Sequence, residues 1–175
     1  RSVSRGLGDV YKRQVLTCNS VNTYLCSVEH ITISAQNDFE LSNESSFVTW
    51  LNRSVKELQM NVGEIHISLM SDEGLLEINK KHLNHDDYTD VITFDYSTQN
   101  TIHCDIAVST DRVSENAHNE GVSIENELAR VIIHGILHCV GFNDKTEGDK
   151  RIMRSKENDL LKLFHVEQKP TPSDV

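Results

Sequence analysis

The chain has 175 residues, 37% apolar, 25% charged and 6% aromatic, enough for one folded domain with short tails and too apolar for a disordered chain. Acidic side chains outnumber basic ones 27 to 17, for a formal charge of -10, which argues against a protein that wraps nucleic acid with a broadly basic face. No apolar run reaches the ~18 residues of a membrane span, so a soluble protein with no membrane partner is expected. Cys18, Cys26, Cys104 and Cys139 show no C-x-x-C spacing and are too sparse for a disulfide scaffold. They read as free thiols of a cytoplasmic protein. Residues 1–14 carry Arg1, Arg5, Lys12 and Arg13 against one acid, Asp9. They lack the apolar centre of a secretory signal and read as a non-native extension. The alternative is a basic arm that touches RNA.

Along the chain, the β-branched run Val28–Ser34 reads as a strand. A polar opening at Ser42 precedes Phe47, Trp50, Leu51, Val55 and Leu58, whose spacings of three and four predict a helix. Ile65, Ile67 and Leu69 alternate with polar residues in Glu64–Met70, a half-buried strand. Asp72 can cap a helix carrying Leu75, Leu76, Ile78 and Leu83. Thr89–Asp95 and Ile102–Ser109, joined by the polar Ser97–Thr101, read as a hairpin. Asp111–Asn119 is a short helix. Ser123 opens another that runs through Cys139 to a stop near Gly141, with Glu125 and Glu127 at its positive end. A last helix spans about Glu147–Phe164, before a frayed tail at 169–175 containing Pro170 and Pro172. The expectation is a single α+β domain over residues 15–168, with about four strands in a mixed sheet covered by helices.

The chemistry concentrates in Val131–Asp144. His134 and His138 lie four residues apart, so a helix presents both on one face, within reach of one ion. Gly141 stands where the helix should turn back, and Asp144 follows three residues later. The pattern H-x-x-x-H-x-x-G-x-x-D offers two nitrogens and one oxygen. Three protein ligands with a fourth position open characterise catalytic zinc. The competing reading has two core histidines bonded to carbonyls, with Gly141 and Asp144 ending one helix and capping the next near Thr146. Zinc peptidases place a glutamate directly after the first histidine as general base; here that residue is Gly135, which argues against peptidase activity. His66, His103 and His118 read as ordinary strand or surface residues, and His165 as part of the tail. Asp90 is as suited to capping a turn as to orienting a ligand histidine. Asp105, inside an apolar strand, needs a partner, and a hydrogen bond to a metal-bound histidine is one way to satisfy it.

His134-Gly-x-Leu-His138-x-x-Gly141-Phe, with Thr89-Asp-Val-Ile-Thr-Phe94, Asp105-Ile-x-x-Ser109 and Val113-x-x-Asn116-Ala117 upstream, resembles the bacterial YbeY proteins over about Val28–Phe164. The resemblance implies a single-strand-specific, metal-dependent endoribonuclease acting in 16S rRNA 3′ end maturation and ribosome quality control. It implies single-stranded rRNA and the small ribosomal subunit as partners, with no DNA. The expected centre is one zinc ion per chain on His134, His138 and Asp144, which act in catalysis through that metal. Two positions depart from the family's usual pattern. Asp144 replaces a third histidine; a carboxylate is a competent ligand that can shift metal preference. Leu83 stands where an arginine is usual, so Lys80, Lys81 or His82 would have to take over any phosphate contact. That departure favours the rival of a non-catalytic ribosome-assembly factor, in which the metal only pins the helix end.

Overall fold

The computed structural model describes residues 30–167. Residues 1–14, Val28, Glu29, Cys18, Cys26 and the tail at 169–175 lie outside the described residues. The elements run β1 (Ile31–Ala35), α1 (Glu44–Glu57), β2 (Asn61–Met70), α2 (Asp72–Leu83), β3 (Val91–Asp95), β4 (Thr101–Ser109), α3 (Thr110–Glu120), α4 (Ile124–Cys139) and α5 (Glu147–Glu167). The architecture is the expected α+β domain with a mixed sheet. Its strand order is β1-β2-β4-β3. β1 and β4 both run parallel to β2. β3 closes the edge antiparallel to β4, as the hairpin reading required.

Several boundaries differ for local reasons. α2 is capped by Ser71, whose hydroxyl accepts from the Gly74 amide at 3.2 Å. Asp72 is instead the first helical residue and pairs with Arg112 Nε at 2.9 Å. α3 begins one residue earlier than Asp111 because Ser109 caps it, accepting from the Arg112 amide at 3.1 Å. β3 begins at Val91, and Asp90 lies in the approach to the strand, its carbonyl accepting from the Ser109 amide at 2.9 Å. α5 continues to Glu167, so the backbone at His165 is helical and not part of a tail. No helix among the described residues is long and apolar enough to cross a membrane.

The main core lies between one face of the sheet and α1, α4 and α5. Phe47, Trp50 and Phe164 meet edge to face, with centroids 5.0–5.4 Å apart, a favoured aromatic geometry. The Trp50 indole N–H donates to the Leu160 carbonyl at 2.9 Å, fixing α1 on α5. A smaller cluster of Met70, Leu75, Ile92 and Ala107 sits under α2. α4 is the central helix: Leu128, Ala129, Val131–Ile133, Ile136 and Leu137 are all 0% exposed. Gly135 permits this. A Cβ there would stand 2.5 Å from Thr93 Oγ1 on β3, so only a residue without a side chain lets α4 seat this deeply.

Candidate metal centre

Ser123 starts α4 as expected, its hydroxyl accepting from the Asn126 amide at 3.2 Å. The helical period then brings His134 and His138 to one face, and their Nε2 atoms stand 3.0 Å apart. The helix ends through Gly141, whose φ of +99° places it in the left-handed region that glycine tolerates. The Phe142 amide thereby returns to the Leu137 carbonyl at 3.0 Å. The same turn aims the Phe142 carbonyl at His138, whose Nδ1–H donates to it at 3.0 Å. It also swings Asp144 back over the helix end. Its Oδ2 lies 3.9 Å from His134 Nε2 and 4.0 Å from His138 Nε2. The alternative role for Asp144, capping the next helix, is filled by other residues. Thr146 Oγ1 accepts from the Asp149 amide at 3.1 Å, and Asp149 Oδ2 accepts from the Thr146 amide at 3.1 Å, a reciprocal cap.

The second nitrogen of His134 finds a partner that the sequence reading did not single out. Glu157 of α5, 3% exposed, places Oε1 2.7 Å from His134 Nδ1. The signal was present in the sequence. Met153, Leu160, Leu161 and Phe164 form the buried stripe of α5, and an acid at 157 interrupts it. Such an acid must be paired. Asp105 is paired elsewhere, close enough to the Tyr96 phenol for a hydrogen bond; burial first, then that carboxylate, raises the phenol's pKa. Asp90 lies 3.7 Å from Arg130 Nη2, and neither aspartate orients a histidine. Arg130 forks onto Glu127, Nε to Oε2 at 2.8 Å and Nη2 to Oε1 at 2.6 Å. That hydrogen bond raises the guanidinium above its ordinary range, and Glu157 and Asp90 add to it. His66 bonds Thr32 Oγ1 at 2.7 Å and His103 accepts from the Glu64 amide at 3.1 Å, ordinary roles on the sheet. Cys104 and Cys139 are free thiols.

These partners decide where the protons sit. A carbonyl and a carboxylate both accept, so each Nδ1 is assigned its hydrogen, the tautomer that leaves Nε2 as the lone-pair donor a metal needs. Two lone pairs facing one another at 3.0 Å repel unless a cation or proton lies between them. The donor atoms of His134, His138 and Asp144 all fall within 4.8 Å of one another. Nitrogens bound tetrahedrally to zinc at ~2.0–2.1 Å stand about 3.3 Å apart. The donor set therefore fits a divalent cation that takes imidazole and carboxylate.

The Endoribonuclease YbeY family model matches residues 30–165. The chain belongs to the endoribonuclease YbeY family. A relative from Flavobacterium psychrophilum, named Endoribonuclease YbeY, is 47% identical over 79% of this chain and 99% of its own length. One of the same name from Christiangramia forsetii is 44% identical over 79% of this chain and 96% of its own. Another, from Bacteroides thetaiotaomicron, is 42% identical over 65% and 83%. A solution structure from Thermotoga maritima superposes with a TM-score of 0.56 at 24% identity, covering 83% of this chain and 99% of that one, and so shares the fold. The YbeY resemblance of the sequence motifs is thereby established, and Gly135 gains a packing reason. The position that carries the base in zinc peptidases is pressed against Thr93, and a glutamate there would have to displace the strand.

At the departure from the usual YbeY pattern, Leu83 ends α2 and is 46% exposed. It borders a recess of about 330 Å³ shared with Tyr88, Thr93 and His85. Among the suggested substitutes, Lys80 is drawn 2.7 Å from Asp86, and His82 rests edge-on against Phe94.

Proposed function

We propose that this chain is a single-strand-specific, metal-dependent endoribonuclease with one zinc ion held by His134, His138 and Asp144. Its place of work is the cytoplasm, on the 3′ end of 16S rRNA and in ribosome quality control, with the small ribosomal subunit as partner. The family membership supports the reaction class. The observation that carries the metal assignment is the pair of Nε2 atoms, 3.0 Å apart with Asp144 Oδ2 within 4.0 Å of both.

When bound, a divalent cation supplies Lewis acidity toward a phosphodiester oxygen and makes a water more acidic. The chain's residues supply the rest. Glu157 and the Phe142 carbonyl hold both Nδ1 protons, fixing the tautomers and ring orientations that a ligand set requires. No side chain at 135 competes for the attacking group's proton. That proton must pass to solvent, to the substrate or to Asp144.

Metal content measured beside cleavage of an unstructured oligoribonucleotide tests the reading. His138→Ala is expected to lose both, and full cleavage by a metal-free variant would overturn it. The product ends identify the nucleophile: a 2′,3′-cyclic phosphate reports attack by the RNA's 2′-hydroxyl, and a 5′-phosphate reports attack by water.

A further inference from the structure

α4 is buried along nearly its whole length except for one stripe. Asn126, Arg130, His134 and His138 recur at every fourth position and are all half-buried, while 131–133 and 135–137 are buried. A helix rises about 1.5 Å per residue, so the stripe covers about 18 Å, the length of a few nucleotides. At its far end from the metal centre the stripe enters a groove of about 540 Å³ between α3, α4 and α5. Asn116, Asn126, Arg130, Arg154, Glu157 and Asn158 are among its walls. Glu157 belongs to both places, since it also holds His134 at 2.7 Å. Groove and metal centre therefore share one buried wall residue, and Arg130 and His134 follow one another on the half-buried stripe between them.

The chemistry of the walls is selective. Arg130 is committed to Glu127, which is 2% exposed, and serves as fixed wall. Arg154 is exposed and forms no ion pair with another described residue. It stands about one helical turn before Glu157 on α5. Asn116, Asn126 and Asn158 each offer a carboxamide, with donor and acceptor side by side, the complement of a base edge. Asn126 is half-buried in the wall of the groove. Glu120 and Glu157 also line the groove, which disfavours a continuous run of phosphates. One cation, several carboxamides and flanking acids suit a strand that places one phosphate and displays unpaired bases.

We propose that this groove holds the single-stranded RNA to one side of the cleavage point, with Arg154 on the neighbouring phosphate and Asn116, Asn126 and Asn158 reading bases. The inference rests on the endoribonuclease reading for its ligand class. It separates from that reading experimentally, because binding is measured without cleavage.

The test follows fluorescence anisotropy of a labelled, unstructured dodecaribonucleotide on the full chain carrying His138→Ala, at several salt concentrations. Arg154→Ala, an exposed change, is expected to raise Kd roughly fivefold and to lower the slope of log Kd against log salt by about 0.7. Asn158→Ala should raise Kd without altering that slope. With the otherwise native chain, Arg154→Ala should raise KM for the dodecamer by more than it lowers kcat, with metal content unchanged. Dodecamer binding that depends on Arg154 in a protein that cleaves nothing would uphold the groove and overturn the catalytic reading. Kd and salt slope unchanged in both variants would overturn the groove. So would an acidic peptide that binds through Arg154 while the oligonucleotide does not, which would reassign the groove to a protein partner.

Discussion

Asp144 and Glu157 approach the metal centre in different ways, and their substitutions should separate accordingly. Asp144 offers a donor atom on a turn with its side chain 46% exposed, so Asp144→Ala removes the proposed ligand with little cost to the fold. Zinc affinity measured by competition with a chromophoric chelator should fall by more than about 100-fold, beyond the 10–100-fold typical of a residue that only orients a ligand. Asp144→His should keep or tighten binding, because imidazole is a good zinc donor. Glu157 touches only the far nitrogen of His134. Glu157→Ala should cost about 10–100-fold in affinity, and Glu157→Gln less, since the amide oxygen still accepts from Nδ1. Equal losses for Ala and Gln would show that the charge, not the acceptor, matters. His134, His138 and Asp144 were legible in the sequence because a helical period and one glycine suffice to align them. Glu157 was not, because its contact spans 23 positions and depends on how α5 lies across α4.

At the scale of elements, the contact between α4 and β3 turns on one missing methyl group. Gly135→Ala places a carbon 2.5 Å from Thr93 Oγ1, and overpacking of this kind costs about 1–3 kcal/mol. The gain in helix propensity offsets at most about 1 kcal/mol. Urea unfolding of Gly135→Ala should therefore show a net loss, and the same substitution in a Thr93→Ala background should be neutral or stabilising. Additive effects in that double-mutant cycle would remove Thr93 from the explanation. The elements themselves were largely readable, because periods of two and near four in the apolar residues survive in the fold. The caps were less so. Ser71, Ser109 and Thr146 start their helices, while the neighbouring Asp72 and Asp111 are drawn into contacts of the α2–α3 junction. Choosing between adjacent capping residues depends on what else lies nearby, and that is a tertiary fact.

Over the whole molecule, the alkaline limit of stability should carry the mark of Cys104. The thiol is 1% exposed; its hydrogen bond with Cys139, and then burial, push its pKa far up. A pKa raised by folding gives stability that is complete below the unfolded thiol's ~8.5 and lost as pH rises beyond it. Above that pH the unfolded chain sheds a proton that the native state keeps, at about 1.4 kcal/mol per pH unit. Cys104→Ala should lower overall stability and flatten this alkaline slope by about that amount, as followed by denaturant unfolding at stepped pH. An unchanged slope would assign the alkaline loss to another group.

The burial of α4 sets the order of events when an ion arrives. The amides between Val131 and Leu137 belong to a helix that is almost wholly buried among the described residues, and amides of such core helices are expected to exchange with solvent mainly through global opening. His134 and His138 are thus held by the core helix itself, while Asp144, the third proposed ligand, comes from the turn that follows it. Capture of the proposed ion would then be a local docking step and not a folding reaction. Its heat-capacity change would be small, its rate insensitive to denaturant below the unfolding transition, and the stripped protein would keep the native exchange protection of its central helix.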